Sequence, residues 1–151
     1  MCGFVGVFNH RPLSETTEQE ELIKQMNRLI VHRGPDDEGY FHDEHVGFGF
    51  RRLSIIDVEH GKQPLSYEDE KYWIIFNGEI YNYRALRQDL IERGHRFTSR
   101  CDTEVLVHLY EQEGIAGLSR LRGMFAFAIW DRERQEAAIE SRVAGCPARS
   151  A

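Results

Sequence analysis

The spacing of apolar residues changes several times along the chain, and each change marks an element. Residues 3–8 (GFVGVF) form a short aromatic and β-branched run starting almost at the amino terminus, which predicts a buried strand that ties the terminus into the fold. Over residues 17–31, Leu22, Ile23, Met26, Leu29 and Ile30 recur at helical spacing, with Ser14 or Thr16 placed to cap the helix. The pattern breaks at His32-Arg33-Gly34-Pro35-Asp36-Asp37-Glu38-Gly39, where Pro35 disfavours helical backbone at Gly34, and a shaped loop is expected. Strands are predicted over residues 40–41, 46–52 and 72–76, separated by a turn near Asp43 and a polar stretch over 59–70. A second helix runs from a cap at Asn82 to about Glu92 and ends at Gly94. A third starts from a cap at Asp102 or Thr103, reaches about Gln112 and ends at Gly114. Residues 124–130 are a strongly apolar strand, with residues 136–139 as hairpin partner across Asp131-Arg132-Glu133-Arg134. Strands grouped around two or three helices, with several hairpins, predict a layered α+β domain with antiparallel sheets.

Composition narrows the picture. The 151 residues, 41% hydrophobic and 29% charged, suit one globular domain with one core. A formal charge of -6, with Lys and Arg scattered among acids, argues against a nucleic-acid partner. A small carboxylate ligand remains open, since one placed Arg can hold it. There is no bilayer-length apolar run and no signal-peptide pattern, so no membrane partner is expected and a cytoplasmic location is. Cys2, Cys101 and Cys146 form no CxxC pair and leave one over, which suggests neither a disulfide framework nor a zinc site.

Cys2 carries the candidate chemistry. Removal of Met1 before a small side chain would leave the thiol beside a free α-amine, whose pKa of about 7.7–8.0 suits a built-in general base. An isolated cysteine at position 2 is as a rule an ordinary side chain, so its company matters. Cys2-Gly3-Phe4-Val5-Gly6 is followed in order by His32-Arg33-Gly34-Pro35-Asp36, Arg52-Leu53-Ser54-Ile55-Ile56-Asp57, Gln63-Pro64-Leu65, Asn77-Gly78-Glu79-Ile80-Tyr81-Asn82 and Asp102-Thr103-Glu104. Together, over residues 1–138, these motifs resemble the class II, or N-terminal nucleophile, glutamine amidotransferases. HRGPDD and NGEIYNY look most like the asparagine synthetase branch.

The resemblance implies a four-layer αββα sandwich, incomplete at its carboxyl end, with glutamine as substrate. Cys2 matches the nucleophile that forms a γ-glutamyl thioester and releases ammonia. Asn77 and Gly78 match the oxyanion hole, through a side-chain amide and a backbone N–H, donors typically worth about 3–4 kcal/mol of barrier. Arg52 matches the holder of the glutamine α-carboxylate, a task suited to a planar guanidinium. Glu79 and Asp102 match the residues that select the α-amino group, while Arg51, the backbone of Ile55 and Ile56, and Gly78 frame the pocket. Singly, Arg52 would be a strand-end charge, Asn77-Gly78 a hairpin turn and Asp102 a helix cap. Cys101 is expected to be passive, His32 structural, and residues 125–130 core. The glutaminase half-reaction needs no cofactor or metal.

The pattern departs from the family at its end. Residues 139–151 are small, polar and aperiodic, as a frameshifted reading or an expression scar would be, and residues 140–151 are expected not to pair as sheet strands. That would leave residues 124–130 near an unpaired edge. Within these 151 residues no motif of the synthetase domain that the resemblance would add, with its ATP and Mg, is expected. The alternatives are an inactive fragment or pseudogene product, or the glutaminase half of an enzyme with another acceptor.

Overall fold

The computed structural model describes residues 2–13, 17–53, 63–99 and 101–142. The elements are, in order, β1 (Gly3–Phe8), α1 (Thr17–Leu29), a 3-10 turn at Val31–Arg33, β2 (Asp37–His42), β3 (Val46–Arg52), β4 (Leu65–Tyr67), β5 (Tyr72–Ile80), α2 (Tyr83–Glu92), α3 (Asp102–Leu118), β6 (Gly123–Asp131) and β7 (Glu136–Arg142). They form two antiparallel sheets, of order β1-β3-β2 and β4-β5-β6-β7.

The residue pattern of β3 explains the first two layers. Along Val46-Gly47-Phe48-Gly49-Phe50, alternation sends the large side chains to one face and leaves only hydrogens on the other. Helix α1 lies on the glycine face, where a Cβ on Gly47 would come within 2.7 Å of Ile23 and one on Gly49 within 3.2 Å of Asn27. Val46, Phe48 and Phe50 enter the opposite interface, where they meet Ile75, Ala128 and Trp130 of the second sheet. Phe41 of β2 stacks on Trp73 of β5, with ring centroids 3.8 Å apart, and the Trp130 indole N–H donates to Asp43 Oδ2 at 2.8 Å. The far face of the second sheet carries Tyr72, Ile74, Phe76, Phe125, Phe127 and Ile129 into a core closed by α2 and α3. The layer order is therefore αββα, as the sequence resemblance implies. Among the described residues, no helix is long and apolar enough to cross a membrane.

Several boundaries differ from the expected ones, each for a local reason. Strand β5 runs on through Asn77-Gly78-Glu79 to Ile80, so these residues are not a hairpin turn. The short strand β4 has no periodicity to reveal it. Asn82 does precede α2, but its side chain does not cap the helix; its amide donates to Arg120 O at 3.0 Å and accepts the Arg122 N–H at 2.9 Å. The N-cap position of α3 is Cys101, not Asp102 or Thr103. Gly114, where the helix was expected to end, does break it, taking the non-helical φ of 64°, and a further helical stretch carries α3 on to Leu118. The proposed caps Ser14 and Thr16 lie outside the described residues.

The expectation for the carboxyl end needs correction. Strand β7 continues to Arg142, which pairs with Phe125, so residues 140–142 are sheet, and β6 lies inside the sheet rather than at its edge. Tertiary pairing supplies what the weak local pattern lacks. Residues 143–151 lie outside the described residues.

Phe48 is fully buried between the sheets, with its ring 5.7 Å from that of Phe8. Phe48→Ala is expected to cost about 3–5 kcal/mol, a large share of the roughly 5–15 kcal/mol that holds a typical domain. Denaturant unfolding monitored by tryptophan fluorescence checks this, and a loss below about 1 kcal/mol would contradict the packing described.

Candidate functional site

Cys2 immediately precedes β1. The register Gly3↔Arg51 places it opposite the end of β3, where its Sγ accepts the Leu53 N–H at 3.5 Å. It is half-buried, is not in a disulfide, and packs against the core between the sheets. The HRGP segment wraps this corner. Arg33 donates to the Cys2 carbonyl at 3.5 Å, and Asp36 N–H donates to Arg52 O at 3.1 Å. Gly34 is pressed against the backbone of Arg51 and Arg52, where a Cβ would overlap main-chain atoms. The loop thus fixes the strand end that carries Arg52 beside Cys2, while His32 is exposed. Arg51 is occupied elsewhere: its Nε donates to Asn27 O at 3.1 Å and its Nη2 pairs with Glu38 at 2.7 Å, which makes it a structural tie rather than a pocket wall.

Three more of the predicted residues, Asn77, Gly78 and Glu79, lie on β5, across the sheet interface from β1. Alternation puts Asn77 and Glu79 on the same face as Trp73 and Ile75, towards the first sheet. Beyond Ile74 the edge of β5 is no longer covered by β4. Two side chains take over its backbone groups. Gln63 acts as a substitute strand, its amide accepting the Phe76 N–H at 2.6 Å and donating to Phe76 O at 3.0 Å. Asp102 Oδ2 accepts the Ile80 N–H at 3.1 Å. By the two-residue repeat of an antiparallel ladder, the Gly78 N–H points to the same edge, between these two. Gly78 has φ 140°, and a Cβ there would overlap the Met124 carbonyl and Phe125, so no other residue suits the position.

The structure therefore brings Cys2 to Arg52 at one sheet end, and Asn77, Gly78, Glu79 and Asp102 together along the facing strand. Ile55 and Ile56 lie outside the described residues. Gln63 stood in a recognised motif without a role, and only the bare edge of β5 reveals its task. Asp102 is set by the turn before α3. Glu104, buried at 2% exposure, accepts the N–H groups of Thr98 at 2.6 Å and Ser99 at 2.7 Å and both hydroxyls. Burial pushes the Glu104 carboxyl up, but the hydrogen bonds from Ser99 and Thr98 outweigh it and hold the group below the usual carboxylate range. Cys101 shares a 2.9 Å hydrogen bond with the Ser99 hydroxyl and stays on this turn.

The layers thus run αββα, with a cysteine immediately before the first strand. Residues 1–145 match the glutamine amidotransferase domain family, and the chain belongs to that family. It is 69% identical over 132 residues to asparagine synthetase [glutamine-hydrolyzing] 1 of Bacillus subtilis, covering 87% of this chain and 21% of that protein. Against asparagine synthetase B [glutamine-hydrolyzing] of Escherichia coli the identity is 38% over 134 residues, covering 89% and 24%. The chain thus spans about a fifth to a quarter of the length of these curated relatives. Among solved structures, a glutamine phosphoribosylpyrophosphate amidotransferase from B. subtilis superposes with a TM-score of 0.46 at 27% identity, over 59% of this chain and 22% of that one.

Because its folded-state pKa is lowered, the stability Glu104 contributes is present above the ordinary carboxylate value of about 4.3 and is lost as pH falls through the lower, folded-state value. Glu104→Gln should cost about 1–3 kcal/mol at neutral pH, since its amide must face N–H donors. The gap to wild type should narrow below about pH 4. Unfolding curves at pH 7 and pH 3 read this directly, and a constant gap would remove the ionised carboxylate from the turn.

Proposed function

We propose that this domain hydrolyses glutamine, with Cys2 as nucleophile and its own α-amine as base. The proposal rests on Cys2 lying opposite the Arg52 end of β3, with β1 packed against β5, on whose edge the Gly78 N–H lies between two side-chain clamps. Arg52 binds the α-carboxylate of glutamine in two-pronged fashion, and Glu79 and Asp102 receive its α-ammonium. This binding places the side-chain amide carbon over Cys2 Sγ. The freed α-amine takes the thiol proton, sulfur bonds to the carbon, and the carbonyl electron pair moves to oxygen. The Asn77 amide and Gly78 N–H meet that oxyanion. The pair then returns, the C–N bond breaks, and the ammonium on Cys2 gives its proton to the leaving nitrogen as ammonia. Water attacks the thioester, and glutamate leaves as the thiol is restored.

Ile55 and Ile56 frame the pocket in this proposal. The names of the relatives suggest the fate of the ammonia: use by a synthetase domain, to which the sequence resemblance would assign ATP and Mg, while the proposed hydrolysis itself requires neither. A reducing compartment such as the cytoplasm keeps Cys2 a free thiol.

The active chain should begin at Cys2, because Met1 would turn the base into an amide. Intact mass is expected to lack Met1. Cys2→Ala should lose both glutaminase activity and labelling by a diazoketone glutamine analogue, while Cys101→Ala keeps both. Full activity in a preparation that retains Met1 would sink the mechanism.

The two ends of the substrate should separate kinetically. Arg52→Lys keeps the charge but loses the fork, and should raise KM for glutamine more than it lowers kcat. Asn77→Ala should lower kcat by about 10²–10³ with a smaller change in KM. Wild-type kcat in Asn77→Ala would exclude it from the oxyanion hole.

A further inference from the structure

On the outer helical layer, His95 from the loop after α2 meets His108 and Glu111 of α3. Three atoms that can each offer a lone pair converge there. His95 Nδ1 and His108 Nδ1 are 3.3 Å apart, and Glu111 Oε2 is 3.5 Å from the first and 3.4 Å from the second. Zinc bonds of about 2.0–2.2 Å at tetrahedral angles put their ligand atoms roughly 3.3–3.6 Å apart, so this triangle has the dimensions of one tetrahedral face.

The surrounding groups suit the same arrangement. The Nε2 of His95 lies 2.8 Å from Gln112 Oε1; an amide oxygen only accepts, so Nε2 carries the hydrogen and Nδ1 of the neutral ring keeps its lone pair. A metal-bound imidazole ordinarily has such a partner on its other nitrogen. Nε2 of His108 is buried without a hydrogen-bond partner and lies 3.8 Å from Glu104 Oε1, which adds negative charge behind the second ring. The rings are held firmly: His95 and His108 side chains are 12% and 10% exposed, and Phe97 meets the His108 ring edge-on at 4.7 Å. Glu111, at 30% exposed, gives an ion access from solvent.

We propose that His95, His108 and Glu111 form a divalent transition-metal site, best suited to zinc, with water as fourth ligand. Two imidazoles and a carboxylate are donors zinc accepts, and one ligand comes from the loop while two come from the helix. Bound metal would pin the loop leading through Thr98 and Ser99 to the start of α3. Its part is structural and independent of the Cys2 chemistry.

The test uses the full chain, freed of metal by a chelator and titrated with Zn2+. One equivalent is expected to bind at this site and raise Tm, and both effects should be lost in His95→Gln and Glu111→Gln. Co2+ should give the strong visible bands of a four-coordinate nitrogen–oxygen site, without the near-ultraviolet sulfur bands of a thiolate site. If His108→Gln fails to fold, the two other variants still decide. Absence of zinc binding, zinc binding unchanged in His95→Gln and Glu111→Gln, or sulfur bands dominating the Co2+ spectrum would each overturn the site.

Discussion

Backbone N–H and C=O groups at a sheet edge have to find partners, and the edge of β5 between Phe76 and Ile80, which no strand among the described residues covers, is where that requirement shapes the molecule. Strand β4 is too short to cover it. Gln63 satisfies Phe76 on one side and Asp102 satisfies Ile80 on the other, from segments far apart in sequence. The stretch between them is thus held straight while a donor remains directed at the edge. Gly78 is compelled at that point by the Met124 carbonyl behind it, so the backbone itself comes close to whatever binds there. A donor built into a sheet is more rigid than one on a side chain, which suits the oxyanion role proposed for Gly78.

Much of this was legible in sequence because different residues signal at different ranges. The alternation of β3 and the apolar run of β6 are local patterns, and both strands lie where those patterns put them. Strand β4 and the end of β7 carry no such pattern; Ser66 and Glu140 lie in sheets because neighbouring strands present ladders to them. Cap residues were misjudged for the same physical reason. Asn82 and Asp102 stand at helix starts, but each has a more distant backbone group in reach, and a side chain can spend its oxygen only where the tertiary structure aims it.

The candidate site was legible by a separate route. No single motif is decisive, since Asn77-Gly78 alone reads as a turn and Arg52 alone as a strand-end charge. Their order along the chain carried the inference, and the geometry supplies what order cannot: that Arg51 is consumed by Glu38 and Asn27 while its neighbour Arg52 ends the strand beside Cys2. The His95, His108 and Glu111 cluster escaped sequence reading altogether. Cysteine spacing is the usual sign of a zinc site, whereas here only His108 and Glu111 share a helix face, and His95 joins them through the packing of α2 on α3.

The residues of the proposed chemistry are divided between two sheets that, among the described residues, share no hydrogen-bonded ladder. Cys2 and Arg52 belong to one, and Asn77, Gly78 and Glu79 to the other. Their separation is therefore set by side-chain packing, through Phe48 and Phe50 against Ile75 and Trp130, through the Phe41 stack on Trp73 and through the Trp130 hydrogen bond to Asp43. Close-packed interiors resist small displacements, so this apolar interface acts as the spacer that holds Cys2 and the oxyanion donors proposed on β5 at a fixed distance. Register within each sheet matters as much. A one-residue slip of β1 along β3 would turn every side chain to the opposite face, sending Phe4 and Phe8 out of the interface and carrying Cys2 away from Arg52. The large inward residues of β1 and β3 therefore hold Cys2 in place, and the same contacts that stabilise the fold set the geometry of the proposed reaction.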